Sequence, residues 1–153
     1  MSLRDDLIAD EGLRLKVYKC PAGFNTIAVG HNLDANPLTP QEVMALGATT
    51  ADLLAGHEIT KEQASLILDN DIENVHKQLD AKVMWWRGRS DSVKDALSNM
   101  CFQLGIGGLL KFQKMLSCLH AGDYDGAQRE ALDSAWATQT PERAKRVTEL
   151  FHA

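Results

Sequence analysis

The strongest helix signal in the chain is the segment ITKEQASLILDNDIENVHKQLDAKV, residues 59–83. Thr60 and Gln63 have the spacing of a capping box, which predicts that a helix begins at this point. A helix of some twenty residues spans about 30 Å, enough to connect two lobes. Its apolar residues recur at intervals of three and four, as expected for one buried face: Ala64, Leu68, Ile72, Val75 and Leu79.

The residues before this helix predict a small sheet. Residues 1–11 form a short amphipathic pattern that Gly12 can end. The following LRLKVY alternates apolar and polar residues, and TIAVG is rich in residues that favour strands. CPAGFN lies between them, so we expect a hairpin with its turn near residues 21–23. Residues 32–58 predict a loop and then a helix that begins after Pro40.

The residues after the long helix predict further helices. SVKDALSNMCFQLG has an apolar face, and Ser92 with Asp95 can cap it. Three shorter amphipathic segments follow, and the last begins with Thr140 and Pro141, which suit a helix N-terminus. The whole pattern predicts an α+β fold with a small sheet and an all-helical part.

Composition limits the possible functions. The chain has 153 residues, of which 44% are hydrophobic, so it can bury a core. Its net charge is −5, which does not favour nucleic acid as a partner. No apolar run is long enough to span a bilayer, and the first residues lack a signal-peptide core, so we expect synthesis in the cytoplasm. Cys20, Cys101 and Cys118 are expected to be free thiols.

An acid, a thiol and a hydroxyl are candidates for chemistry. Eight residues separate Glu11 from Cys20, and five separate Cys20 from Thr26. Glu11 ends the predicted first helix and Thr26 begins a predicted strand, so a folded hairpin can bring the three side chains together. Each also has a purely structural use, as a solvated helix-end acid, a turn residue and a strand residue, and spacing alone does not decide between the two uses.

Five segments in order resemble the phage-type lysozymes, glycoside hydrolase family 24, especially its T-even phage members. The segments are DEGLRLKVYK, GFNTIAVGH, ITKEQASLILDNDI, NMCFQLG and WATQTPERAKRV. The resemblance implies a two-lobed fold with a β-containing lobe at residues 12–59, a connecting helix at 60–80 and a helical lobe at 81–153. Residues 1–11 would pack against the helical lobe.

The resemblance also implies hydrolysis of the β-1,4 bond between N-acetylmuramic acid and N-acetylglucosamine in peptidoglycan. Glu11, Cys20 and Thr26 match the family's catalytic motif, in which the second position is Asp or Cys. Glu11 would be the general acid that protonates the leaving oxygen, and Thr26 would hold the attacking water. Cys20 would assist that water or attack the sugar itself. No cofactor and no metal are implied.

Other matching positions imply substrate-binding and supporting residues. Phe102, Gln103 and Trp136 would line the saccharide cleft, and core packing is the alternative use of each. Asn32 would contact saccharide as well, although T-even members have leucine there.

Three further positions have implied supporting roles. His31 would pair with Asp71 on the long helix. Arg143 would lie close to Glu11 and orient it, with a plain surface charge as the alternative.

The family resemblance implies a monomeric endolysin. Its partner would be bacterial peptidoglycan, with no nucleic acid and no membrane insertion. It would remain in the cytoplasm of the bacterial host until lysis. Three alternatives stay open: a catalytically inactive peptidoglycan-binding relative, a lytic transglycosylase, and a cysteine peptidase or amidase that uses Cys20 and His31.

Overall fold

In the computed structural model, which describes residues 2–153, the chain forms two units with their boundary in sequence between Asp71 and Ile72. The first unit contains α1 (Leu3–Glu11), β1 (Arg14–Lys19), β2 (Asn25–Ala28), β3 (His31–Asn32), α2 (Pro40–Leu46) and α3 (Thr50–Leu54). The helix α4 (Lys61–Lys82) contains the boundary. The second unit continues with α5 (Asp91–Leu110), α6 (Gln113–Ala121), α7 (Tyr124–Leu132), α8 (Ala135–Gln139), α9 (Pro141–Glu149) and 3-10 turns at Trp86–Gly88 and Leu150–His152.

These elements confirm the predicted α+β class. Among the described residues, the strands all lie in the first unit, and the second unit is helical. Within residues 2–153, no helix combines the length and the apolar character needed to cross a membrane. The predicted lobe boundaries, and the predicted packing of residues 1–11 against the helical part, stay predictions.

The helix α4 follows its sequence pattern. The N–H of Gln63 donates to Thr60 Oγ1 at 3.1 Å, and the N–H of Thr60 donates to Gln63 Oε1 at 3.0 Å. This reciprocal pair is the predicted capping box. Ala64 packs in the apolar core of the first unit, whereas Leu79 packs in the core of the second. One amphipathic stripe therefore contributes to two separate cores.

The sheet is antiparallel, with the strand order β1-β2-β3. Tyr18 pairs with Thr26 across the first two strands, and Ile27 pairs with His31 across the next two. Ile27 is fully buried in the core of the first unit. Because side chains alternate along a strand, its neighbour Thr26 faces the other side of the sheet, the side on which Tyr18 lies.

Three details differ from the sequence analysis. The segment after residue 30 contains β3. A strand of two residues is too short to show an alternating pattern in the sequence. Ser90, and not Ser92, caps α5, because Ser90 Oγ accepts the N–H of Val93 at 3.3 Å. Gly105 breaks the helical geometry inside α5 with φ 73°, but helical structure then resumes to Leu110.

The three cysteines are free thiols, as predicted. Cys101 is buried in the core of the second unit, in agreement with its place on the apolar face of α5. Cys118 is half-buried and packs against the same core. Cys20 is half-buried and lies just after β1, in the hairpin turn.

Candidate active site

A tight turn places Cys20 at the tip of the first hairpin. The N–H of Gly23 donates to the carbonyl of Cys20 at 2.8 Å, which closes a four-residue turn with Pro21 in its second position. The N–H of Cys20 donates to the carbonyl of Phe24 at 3.0 Å. These two bonds fix the backbone on either side of Cys20 and hold the residue at the tip of the hairpin.

The same turn stabilises the thiolate of Cys20. The backbone N–H of Phe24 makes the largest contribution to lowering the pKa of this thiol, and the N–H groups of Ala22 and Gly23 act in the same direction. Burial partly opposes the shift. Because the thiolate is the reactive form of cysteine, the turn favours a reactive sulfur.

Thr26 is buried, and its hydroxyl has a defined direction. The Thr26 Oγ1–H donates to the carbonyl of Phe24 at 3.0 Å. A hydroxyl that donates its hydrogen in this way keeps its lone pairs as acceptors. Thr26 can therefore accept a hydrogen bond from a water molecule next to the Cys20 turn.

Glu11 ends α1, and its carboxyl lies against the turn between β2 and β3. A Cβ atom built on Gly30 would lie 2.8 Å from Glu11 Oε2 and 3.1 Å from Glu11 Cδ. Gly30 also has φ 65°, a conformation that side chains other than glycine rarely adopt. The absence of a side chain at this position thus allows the close approach of the acid. Gly30 was not predicted as a site residue, although a glycine between a strand and a histidine is a usable signal of a special turn.

Tyr18 connects these groups electrostatically. Burial raises the pKa of Tyr18, the charge of Glu11 raises it further, and so does the charge of Cys20. The Arg14 guanidinium, which lies 4.9 Å from the centre of the Tyr18 ring, acts in the opposite direction. Glu11 and Cys20 are therefore both close enough to Tyr18 to act on its charge. Tyr18, which was not predicted from the sequence, pairs with Thr26 across the sheet and lies two residues before Cys20.

His31 contacts Asp71, the partner implied for it. Its Nδ1 lies 2.8 Å from Asp71 Oδ2, and its Nε2 lies 2.8 Å from the carbonyl of Asn36. Burial lowers the pKa of His31, but Asp71 and the Asn36 carbonyl outweigh it, so the pKa is raised. Burial also raises the pKa of the Asp71 carboxyl. The Asn36 carbonyl can only accept, so Nε2 carries a hydrogen. Because the pKa of His31 is raised, we assign a hydrogen to Nδ1 as well, so that the pair is an imidazolium and a carboxylate.

Asn32 has a role in the loop after β3. Its Oδ1 accepts the N–H of Asp34 at 2.9 Å and the N–H of Ala35 at 3.0 Å. This oxygen therefore holds the chain where it leaves the sheet. The predicted contact of Asn32 with saccharide stays a prediction.

The other predicted substrate-binding residues lie in the second unit. Trp136 Nε1 donates to Gln103 Oε1 at 2.8 Å, and the Phe112 ring meets the Trp136 ring edge to face at 5.8 Å. Trp136 is buried, which fits the packing role considered for it, while Phe102 and Gln103 are half-buried. Their contact with saccharide stays a prediction.

Arg143 is a buried cation of the second unit. Its Nε donates to Asn99 Oδ1 at 3.0 Å. This bond joins α9 to α5 and orients the guanidinium, so the surface-charge alternative for Arg143 is wrong. The contact between Arg143 and Glu11 implied by the family resemblance stays a prediction.

The second unit also has a cavity of about 390 Å³. Its charged lining contains two lysines and two acids: Lys111, Lys114, Glu130 and Asp133. None of the predicted catalytic side chains belongs to this lining, so the cavity is not the candidate site of bond cleavage.

Comparison with known proteins identifies relatives over almost the whole chain. The family model for phage lysozyme matches residues 9–150. The pre-baseplate central spike protein Gp5 of Enterobacteria phage T4 is 35% identical, and the match covers 99% of this chain but 28% of Gp5. The probable T4-type lysozyme 2 of Dictyostelium discoideum is 28% identical, with 98% and 93% of the two chains covered. The endolysin of Acyrthosiphon pisum secondary endosymbiont phage 1 is 32% identical, with 78% and 68% covered.

Proposed function

The chain belongs to the phage lysozyme family of glycosidases, and we propose that it hydrolyses the β-1,4 bond between N-acetylmuramic acid and N-acetylglucosamine in bacterial peptidoglycan. Two observations support this proposal: the turn that holds Cys20 next to Thr26, and the close approach of the Glu11 carboxyl to Gly30. Glycoside hydrolysis uses a general acid and a second group that activates water or attacks the sugar, and Glu11 and Cys20 are suited to these two roles.

Glu11 supplies the proton for the leaving group. A glycosidic oxygen leaves poorly as an alkoxide, so a positioned acid must protonate it while the bond to the anomeric carbon breaks. The tight approach of Glu11 to Gly30 supports this role, because a general acid must be held within hydrogen-bond reach of its target.

Thr26 and Cys20 act on the attacking water. The water donates one hydrogen to Thr26 Oγ1, whose own hydrogen is directed to the Phe24 carbonyl. The Cys20 thiolate, stabilised by the turn N–H groups, accepts the second hydrogen. As the water oxygen bonds to the anomeric carbon, its second hydrogen passes as a proton to the Cys20 sulfur. The bond from the anomeric carbon to the leaving oxygen breaks, and that oxygen takes the proton of Glu11. This route gives inversion at the anomeric carbon.

We further propose that the biological role is host cell lysis by a monomeric endolysin, held in the bacterial cytoplasm until the wall becomes accessible. The similarity to a phage endolysin supports this role. The chain spans less than a third of Gp5, so the activity and partners of that longer protein are not carried over to it.

The test is the chemical identity of the products from purified peptidoglycan. Muropeptides released by the protein are separated, and their masses are measured by mass spectrometry. The Glu11→Gln variant serves as the blank. The proposal predicts reducing N-acetylmuramic acid ends, each heavier by one water than an anhydro end, and none above background with Glu11→Gln. Anhydro ends would establish a transglycosylase, and new free amines a peptidase or amidase. Binding without new ends would establish an inactive wall-binding protein.

A further inference from the structure

Phe24 lies directly opposite Cys20 at the tip of the hairpin. Tyr18 pairs with Thr26 and Lys19 pairs with Asn25, so the same register sets Cys20 opposite Phe24. The Cys20 N–H donates to the Phe24 carbonyl at 3.0 Å, in agreement with this pairing. Opposed residues of an antiparallel pair place their side chains on one face, with Cβ atoms about 5 Å apart. The Phe24 side chain therefore lies on the face that carries Tyr18, Cys20 and Thr26.

The backbone of Phe24 is engaged, yet its side chain is open to solvent. Its carbonyl accepts hydrogen bonds from the Cys20 N–H and the Thr26 hydroxyl, and its N–H acts on the Cys20 sulfur. The side chain is 47% exposed. An aromatic ring on a backbone held in this way loses little conformational freedom when a ligand covers it.

Single exposed apolar side chains are common and need no function. Met44 is one such residue of the same unit, with 84% of its surface exposed. Phe24 differs from Met44 because the groups that its backbone binds are two of the proposed reactive side chains, Cys20 and Thr26. A ligand that reaches the Cys20 sulfur must therefore pass close to the Phe24 ring.

We propose that the Phe24 ring is a binding platform for the apolar face of a pyranose ring next to the bond that is cleaved. This inference rests on the proposed function and adds a specificity residue to that site. The equatorial substituents of N-acetylglucosamine leave C–H groups on both faces of its ring, and these slightly positive hydrogens suit the negative face of an aromatic ring. A branched aliphatic side chain offers apolar area without that face.

The test distinguishes binding by the aromatic face of residue 24 from binding by apolar surface area alone. Calorimetry measures the affinity of the Glu11→Gln protein for an oligomer of N-acetylglucosamine. The same measurement is made on this protein with Phe24→Leu or Phe24→Tyr added. We expect Phe24→Leu to weaken binding about three- to tenfold and Phe24→Tyr to restore it. Met44→Leu is the matched control at an exposed apolar position, and its affinity should equal that of the parent. Melting temperatures check that each variant is folded.

The outcomes distinguish this inference from the proposed function. In the protein with Glu11 intact, Phe24→Leu should raise KM for soluble glycan fragments more than it lowers kcat. If the parent cleaves glycan while Phe24→Leu binds as tightly as the parent, the inference is overturned and the function stands. If the parent cleaves nothing but binds glycan in a way that depends on the ring, the function fails and the inference stands. Absence of glycan binding by the parent overturns the inference.

Discussion

The two turns of the sheet differ in what they leave accessible. The first turn, residues 20–24, carries a half-buried thiol and an exposed ring. The second turn leads from β2 to His31, whose side chain is only 6% exposed and is bonded at both ring nitrogens. Gly30, in this second turn, provides the surface against which Glu11 lies. The accessible turn thus presents the thiol and the ring to a ligand, and the buried turn positions Glu11 and His31.

Cys20 and Cys101 also show how accessibility changes the chemistry of one residue type. Burial alone raises the pKa of Cys101 to about 11. Cys20 has its pKa lowered because backbone N–H groups face its sulfur. A buried environment without donors keeps a thiol protonated, whereas a turn that presents N–H groups favours the thiolate.

The largest expected effect that tests this contrast is a difference in alkylation rate. At about pH 7, iodoacetamide should modify Cys20 at least about a hundredfold faster than Cys101, because Cys101 is both buried and less ionised. Cys118 should be slower than Cys20 as well, since burial raises its pKa and the charges of Asp123 and Glu130 raise it further. The rates are read by peptide mass spectrometry at successive times.

Denatured protein is the control for this comparison, because all three thiols should then react at similar rates. Labelling of Cys101 as fast as Cys20 in the folded protein would contradict the contrast.

The next effect concerns the buried turn. Gly30→Ala should lower the rate of glycan cleavage by about ten- to a hundredfold, because the new methyl group displaces the Glu11 carboxyl. Gly47→Ala is the matched control. Gly47 has φ 63°, close to the 65° of Gly30, but a Cβ there would meet nothing within 4 Å. Both variants should lose about 1 kcal/mol of stability from backbone strain, and only Gly30→Ala should lose activity. If the two variants cleave glycan at equal rates, the close approach of Glu11 to Gly30 is not needed for cleavage.

Local patterns predicted much of this fold. The apolar repeat and the capping pair defined α4, and Pro21 with Gly23 defined the first turn. Apolar spacing could not predict β3, which has only two residues. Apolar spacing also could not predict the contact between His31 and Asp71, because the two residues are 40 positions apart. That contact was predicted from the family resemblance.

The candidate site was predicted in part. Glu11, Cys20 and Thr26 were singled out by spacing and resemblance, and the structure adds Gly30, Tyr18 and Phe24. Tyr18 and Phe24 could have been found from strand alternation and hairpin register, because both follow once the turn is fixed. The approach of Gly30 to Glu11 depends on how α1 packs on the sheet, which no local pattern encodes.

A smaller effect is expected for the buried ion pair. His31→Asn should lower the free energy of unfolding by about 2 kcal/mol near pH 6, because it leaves Asp71 without its cation. The raised pKa of His31 means that the stabilisation is complete below its unfolded value of about 6.5 and is lost as pH rises through the folded value. The difference between parent and variant should therefore shrink near pH 9, measured by urea unfolding.

His57→Asn, at an exposed histidine of the same unit, is the control and should change stability little at either pH. A parent–variant difference for His31→Asn that stays constant or grows with pH would contradict the assignment of an imidazolium–carboxylate pair.

The most direct test of the central claim, that the first turn takes part in the reaction, is reducing-end release from purified peptidoglycan by the parent, Cys20→Asp and Cys20→Ala. The turn N–H groups can bind a carboxylate as well as a thiolate. We therefore predict that Cys20→Asp keeps activity at or above that of the parent, and that Cys20→Ala falls by about a hundredfold or more. If Cys20→Ala keeps most of the parent's activity, the thiol only fills the turn, and the proposed role of Cys20 is contradicted.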